Sequence, residues 1–94
     1  MIFTYPAVMR LQEDGRYTGY FPDLEQCTFE GGSIDEAIDA AIAAEKDWIE
    51  VQMDTEEDEE AEMPFVSDHA DIPLKDGEFI RDIAAIMHFE VGFY

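Results

Sequence analysis

The residues of this chain whose types could do chemistry are its acids, two histidines and one cysteine. Asp54 to Glu62 reads DTEEDEEAE, seven acids in nine positions. Carboxylates at that density could hold a divalent cation, but a Ca²⁺ loop needs a central glycine and ligands at fixed spacing, which this run lacks. It repels itself and has nothing to bury, so it reads as a frayed helix end or a solvated loop. Asp23 follows Pro22 and reads as a turn former, because its side chain can bond its own downstream backbone. His69 and His88 have no metal-ligand spacing to each other and read as surface or interface histidines. Cys27 is alone, which excludes an intramolecular disulfide and any Cys-rich zinc site. With Phe29 on its strand face, it reads as a small buried hydrophobe. There is no glycine-rich phosphate loop and no nucleophile elbow. The chain is read as a non-enzyme without cofactor or metal.

Charge is the next constraint. Five Lys and Arg against 24 Asp and Glu leave a formal net charge of -19 over 94 residues. Such a surface repels phosphate backbones, so direct nucleic-acid binding is not expected. It attracts basic partners by long-range steering, and on a blander reading simply keeps the protein soluble. Hydrophobic residues make up 47% of the chain, enough for one core and against a disordered acidic tail. The length suits a single domain over residues 1–94, with an acidic loop at about 54–77. The N-terminus lacks the pattern of a signal peptide, and no segment has the apolar length of a membrane span. A cytoplasmic location is the expectation.

These residues must be positioned by a few elements. From Ile2 to Leu11, Phe3, Tyr5, Ala7, Met9 and Leu11 alternate with Thr4, Pro6 and Arg10, which predicts a strand. Pro6 places that strand at a sheet edge or gives it a bulge. Glu13-Asp14-Gly15-Arg16 predicts a hairpin turn, because Asp-Gly tolerates positive φ. Tyr17 to Phe21 is the returning strand, Pro22-Asp23 a turn, and about Gln26 to Glu30 a third strand. Gly31-Gly32 ends it. Ser33 and Glu36 then form a capping box, with the Glu36 side chain reaching back to the Ser33 N–H.

A helix follows to about Met53, its apolar stripe running through Ile34, Ala37, Ala41, Ala44, Trp48 and Val51. Its alanines allow close approach to a sheet. Trp48 is a core anchor or, near a helix end, an interface residue. Pro64, Pro73 and Asp76-Gly77 keep the next connection irregular. From Glu78 to Tyr94, Phe79, Ile83, Ala85, Met87, Phe89, Val91 and Phe93 share one face with Arg81. Ile80, Ala84 and Ile86 on the reverse suggest cover on both sides. A helix over Phe79–Met87 is the rival reading. The fold class is α+β, a β-β-β-α-β antiparallel sheet with one helix packed on a face.

The order of these pieces resembles the HicB family, the antitoxin halves of small toxin–antitoxin pairs. The family opens with a YPAV-like strand, then a hairpin, then Phe-Pro-Asp-Leu-Pro-Gly-Cys, a Gly and a Thr- or Ser-capped helix containing Glu-Ala. The matches are Tyr5-Pro6-Ala7-Val8, Asp14-Gly15, Tyr20-Phe21-Pro22-Asp23-Leu24, Cys27, Gly31, Ser33 and Glu36-Ala37. Glu25-Gln26 replaces the usual Pro-Gly, which should alter the turn's stiffness and leave the strand order intact. The resemblance implies a partial RNase H-like sheet, without the converging carboxylates that a metal-dependent nuclease needs. Many members continue into a DNA-binding domain. The chain reads as the core domain without it, so operator binding is not carried over.

What the resemblance implies about function is an inhibitor of a small basic ribonuclease toxin, HicA, which uses a histidine on a double-stranded-RNA-binding-like fold. An acidic domain would mask the toxin's cationic surface. From charge density, the expected partner-binding residues are Asp47, Glu50, Asp54, Glu56 and Glu57, with Phe65 and Val66 adding apolar contact. The alternatives are an orphan scaffold or adaptor of the same type, and an acidic nucleic-acid mimic. A homodimer or higher homo-oligomer is expected from the exposed edge strand and the apolar last strand.

Overall fold

The computed structural model describes residues 2–54 and 63–87. Four strands form one antiparallel sheet: β1 (Ile2–Leu11), β2 (Tyr17–Tyr20), β3 (Thr28–Gly31) and β4 (Glu78–Ile86), in the order β3-β2-β1-β4. One helix, α1 (Ile34–Asp54), packs across one face. The α+β architecture expected from the residue pattern is the one observed.

Local chemistry accounts for most of the elements. In the β1–β2 hairpin Gly15 has a φ of 91°, and Asp14 Oδ1 accepts the Arg16 N–H at 3.0 Å. At the start of α1, Ser33 Oγ accepts the Glu36 N–H at 3.1 Å, as a capping box requires. The return bond differs from expectation. Glu36 Oε1 takes the N–H of Gly32, not of Ser33, at 3.1 Å. The side chain still satisfies a backbone donor, one residue further out.

The third strand starts at Thr28, two residues later than the sequence pattern suggests. Gln26 has a φ of 58°, in the left-handed region, so it belongs to the turn. This is the position where the family pattern carries glycine, and a side chain is tolerated there at some cost.

The core sits between sheet and helix. Tyr5, Ala7 and Met9 of β1, Phe29 of β3, Ile83 of β4 and Phe21, Leu24 and Cys27 of the intervening turn are buried against Ala37 and Ala41 of α1. The two alanines are fully buried and let the backbones approach. Gly31 has the tightest such contact: a Cβ there would collide with the backbone of Glu36 and Ala37. Gly19 lies under the Phe29 ring in the same way. Phe29 in turn packs on Phe21, ring centroids 5.5 Å apart.

The centre of the helical stripe is the row Ala37, Ala41, Glu45, Ile49, all at 0% exposure, with Ile34, Ala44 and Trp48 half-buried beside it. Val51, expected on the stripe, is 63% exposed. The buried row advances by four residues per step, and Val51 lies off its line.

Two further expectations are corrected. β1 is not an edge strand; it lies between β2 and β4 and pairs with both. Pro6 is accommodated because β2 stops opposite Val8, leaving β1 with a strand neighbour on one side only at Pro6. The last segment is a strand over Glu78–Ile86, as expected and against the rival helix, paired with β1 from Ile2↔Ile86 to Arg10↔Glu78. Its reverse face is not covered as expected: Ala84 is exposed and Ile86 is 53% exposed. His88, Phe89, Val91 and Phe93 lie outside the described residues.

The described part of the connection to β4, residues 63–77, crosses from one face of the sheet to the other. Near its start the Tyr5 O–H, on the helix-facing side, donates to the Pro64 carbonyl at 2.7 Å. Further on, His69 opens a short 3₁₀ turn (His69–Asp71) and its Nε2 meets Asp82 Oδ1 at 2.7 Å. Asp82 is opposite Pro6, on the face away from the helix. The connection therefore passes the end of β2, and Ile72, Pro6 and Val8 are all buried in that region.

Candidate protein-binding surface

The turn between β2 and β3 organises the residues expected to bind a partner. Phe21 N–H donates to the Cys27 carbonyl at 3.0 Å, Leu24 N–H to Phe21 and Cys27 N–H to Leu24, each at 3.2 Å. Leu24 is buried at 1% exposure and fixes the turn to the core. Three longer-range bonds then converge on it. From the helix, Trp48 Nε1 donates to the Glu25 carbonyl at 3.0 Å. From the connection, Ser67 donates its N–H to Asp23 Oδ2 at 2.8 Å and its O–H to Asp23 Oδ1 at 2.5 Å.

The second pair of bonds has a direct consequence for Phe65 and Val66. Pro64 is held by Tyr5 and Ser67 by Asp23, so the intervening two residues are fixed at both ends. Phe65 is 96% exposed and Val66 58%. A large apolar side chain left this open, on a segment tied down on either side, is a feature that binding surfaces use.

Only part of the expected acidic set lies within the described residues. Asp47 and Glu50 are exposed on α1, Asp47 next to the tethered Trp48. Asp54 is the last residue of α1, and Glu56 and Glu57 lie outside the described residues. The last turn of α1 has no basic residue. Glu50, near that end, lies toward the negative pole of the helix dipole, which is unfavourable in the free protein. The exposed Val51 adds an apolar group between Glu50 and Asp54 that the sequence pattern had assigned to the core.

Buried groups beneath this surface have shifted ionisation. Burial, then the neighbouring Glu45 and Asp47, pushes the Cys27 thiol up to about 11, which keeps it protonated and unreactive at neutral pH. Burial, then Asp23 and Glu45, also raises the Tyr5 hydroxyl. Glu45 itself is raised to about 8 by burial alone.

Sequence reasoning missed two of these features. Asp23 is a turn residue, as expected, but also a clasp for Ser67, 44 positions away; no local signal announces that. Glu45 was overlooked although it falls four residues after Ala41 and four before Ile49, on the buried row. Extending that row would have found it. His69 is at the surface and paired with Asp82. Among the described residues, no group of three or more His, Cys, Asp or Glu could hold a metal ion. No described helix is long and apolar enough to cross a membrane.

No protein-family model and no curated protein matches the chain. Solved structures do. The N-terminal domain of the Burkholderia pseudomallei antitoxin HicB superposes with a TM-score of 0.70 at 20% identity, covering 90% of this chain and 100% of that one. A HicA3–HicB3 toxin–antitoxin complex matches at 0.63 and 25% identity, over 85% of this chain and 94% of its own. A toxin–antitoxin complex from Streptococcus pneumoniae matches at 0.64 and 27% identity, over 92% and 70%. The resemblance read from residues 5–37 thus has a counterpart in the fold over most of the chain.

Proposed function

Taking this chain as a HicB-like antitoxin core domain, we propose that it acts as an antitoxin by binding a small basic HicA-type ribonuclease and masking its RNA-binding surface. The observation that carries this reading is the juxtaposition around the β2–β3 turn. An apolar pair, Phe65-Val66, is anchored at both ends beside an acidic helix that lacks cations in its last turn. Asp47, Glu50, Asp54, Glu56 and Glu57 supply the charge that draws in a cationic groove. Phe65 and Val66 supply the desolvated contact that slows release. A cationic partner would also relieve the unfavourable acids at the end of α1.

Binding of this kind needs no bond-breaking step from the chain itself. Inhibition follows from occupancy: RNA phosphates and the acidic helix compete for the same cationic side chains. The test is association with a small basic HicA-type ribonuclease, measured at rising ionic strength. Affinity should fall steeply with salt, because exposed charges are screened beyond roughly 8 Å at physiological ionic strength. Association indifferent to salt would contradict the mechanism.

A second reading, self-association as an orphan scaffold, has one observation in its favour. Ile2 and Ile86 are paired side by side on the uncovered sheet face, 67% and 53% exposed, and β4 lies at the sheet edge. Such a face and edge can be covered by a second copy. Sedimentation at micromolar concentration separates the outcomes: a dimer supports this reading, and a monomer removes it.

A further inference from the structure

The side chain left unexplained by partner binding is Glu45. It is fully buried, in the middle of the helix–sheet interface, between Ala41 and Ile49 on the central row of α1. Neither of its carboxylate oxygens has a hydrogen-bond partner among the described residues. The groups that could answer it from each packed element do not. From β1, Tyr5 spends its hydroxyl on the Pro64 carbonyl. β2 offers Tyr17, whose ring packs edge-on to Phe79 with centroids 6.4 Å apart. The turn before β3 offers the Cys27 thiol, a weak donor that is itself buried. Helix-facing β3 residues are Phe29 and Gly31, which carry no charge. On β4, Arg81 is the sole charged residue with helix-facing parity, and it is exposed to solvent. On the helix, Asp47 is exposed to solvent, while Lys46 is half-buried and makes no bond to Glu45.

A lone carboxylate in such a place is far more costly than a neutral carboxyl, because charge loses most on leaving water. We propose that Glu45 is a proton-operated latch between α1 and the sheet. With the proton on, the helix seats fully; with the proton off, the interface holds an uncompensated charge and α1 loosens. The latch acts on the fold, whatever partner the acidic surface takes. α1 also carries Asp47, Glu50 and the Trp48 tether to the β2–β3 turn, so the same proton sets how firmly that surface is held.

The direction of the pH effect follows from linkage. The unfolded chain releases this proton near the ordinary value of 4.5, whereas the folded chain keeps it to about 8. Between those values the folded state binds more protons, so stability falls as pH rises and stops falling above about 8. The raised Cys27 and Tyr5 act in the same sense as Glu45, but at more alkaline pH, above this window.

The test is urea unfolding of the intact chain from about pH 6 to about pH 9, beside Glu45→Gln, which keeps the shape and cannot ionise. The native chain's folded-to-unfolded ratio should drop up to about tenfold per pH unit until about pH 8, relative to the variant. Both histidines are present in both proteins, so the difference isolates Glu45. Parallel pH profiles would overturn the proposal. Carboxyl ¹³C NMR of the native chain provides a readout that needs no variant. A Glu45 midpoint in the neutral-to-alkaline range supports the latch, and one in the ordinary carboxylate range overturns it.

Discussion

The two ends of the β2–β3 turn are held in different ways. Toward β3 and the start of α1, the chain is packed by close apolar contact: Gly31 against Ala37, Gly19 beneath Phe29, Phe29 against Phe21. Toward the connection and the later part of α1 it is held by polar bonds, which Ser67 donates to Asp23 and Trp48 to Glu25. Close packing has no spare room, so this side is intolerant of added atoms. The polar side can lose a bond and keep its fold, which suits a surface that must meet another molecule. The contrast places close packing under the sheet and a hydrogen-bonded clasp beside Phe65 and Val66.

The largest effect is expected on the packed side. Gly31→Ala puts a methyl into the backbone of α1, and overpacking of this kind should cost about 3 kcal/mol. The thermal midpoint should fall by more than about 10 °C for a domain of this size. A neutral result would mean that β3 and α1 can part more easily than the close contact implies.

On the polar side, Asp23→Ala removes both acceptors from Ser67 and should cost about 2 kcal/mol, with the sheet retained. Amide exchange at Ser67 should speed up much more than exchange in β1 or β4. Loss of protection throughout the sheet would show that the clasp belongs to the core after all.

The smallest change should be stabilising. Gln26 sits at a φ of 58°, where glycine is unstrained, so Gln26→Gly should gain about 1 kcal/mol. A shift of the urea midpoint to higher concentration checks it. Destabilisation would mean that the Gln26 side chain makes a compensating contact.

The elements that were legible in the sequence are those with a local cause. Asp14-Gly15 announces its turn, Ser33 and Glu36 their cap, and the alternation from Phe3 to Met9 its buried face. The errors came from information that a local pattern does not contain. Pro6 suggested an edge because nothing in β1 tells where β2 ends. Val51 was assigned to the core because a stripe drawn at alternating three- and four-residue steps drifted from the row the sheet covers. In the proposed binding surface, Phe65 and Val66 stand out in the sequence as apolar residues after an acidic run. Their anchoring by Tyr5 and Asp23 depends on contacts across 59 and 44 positions.

The most direct measurement is RNA cleavage by a small basic HicA-type ribonuclease, followed as the chain is titrated in at low salt. Masking of a cationic surface predicts that cleavage falls to background near equimolar chain and returns when salt is raised or Phe65 and Val66 are both replaced by alanine. Undiminished cleavage in the presence of excess folded chain would contradict the account.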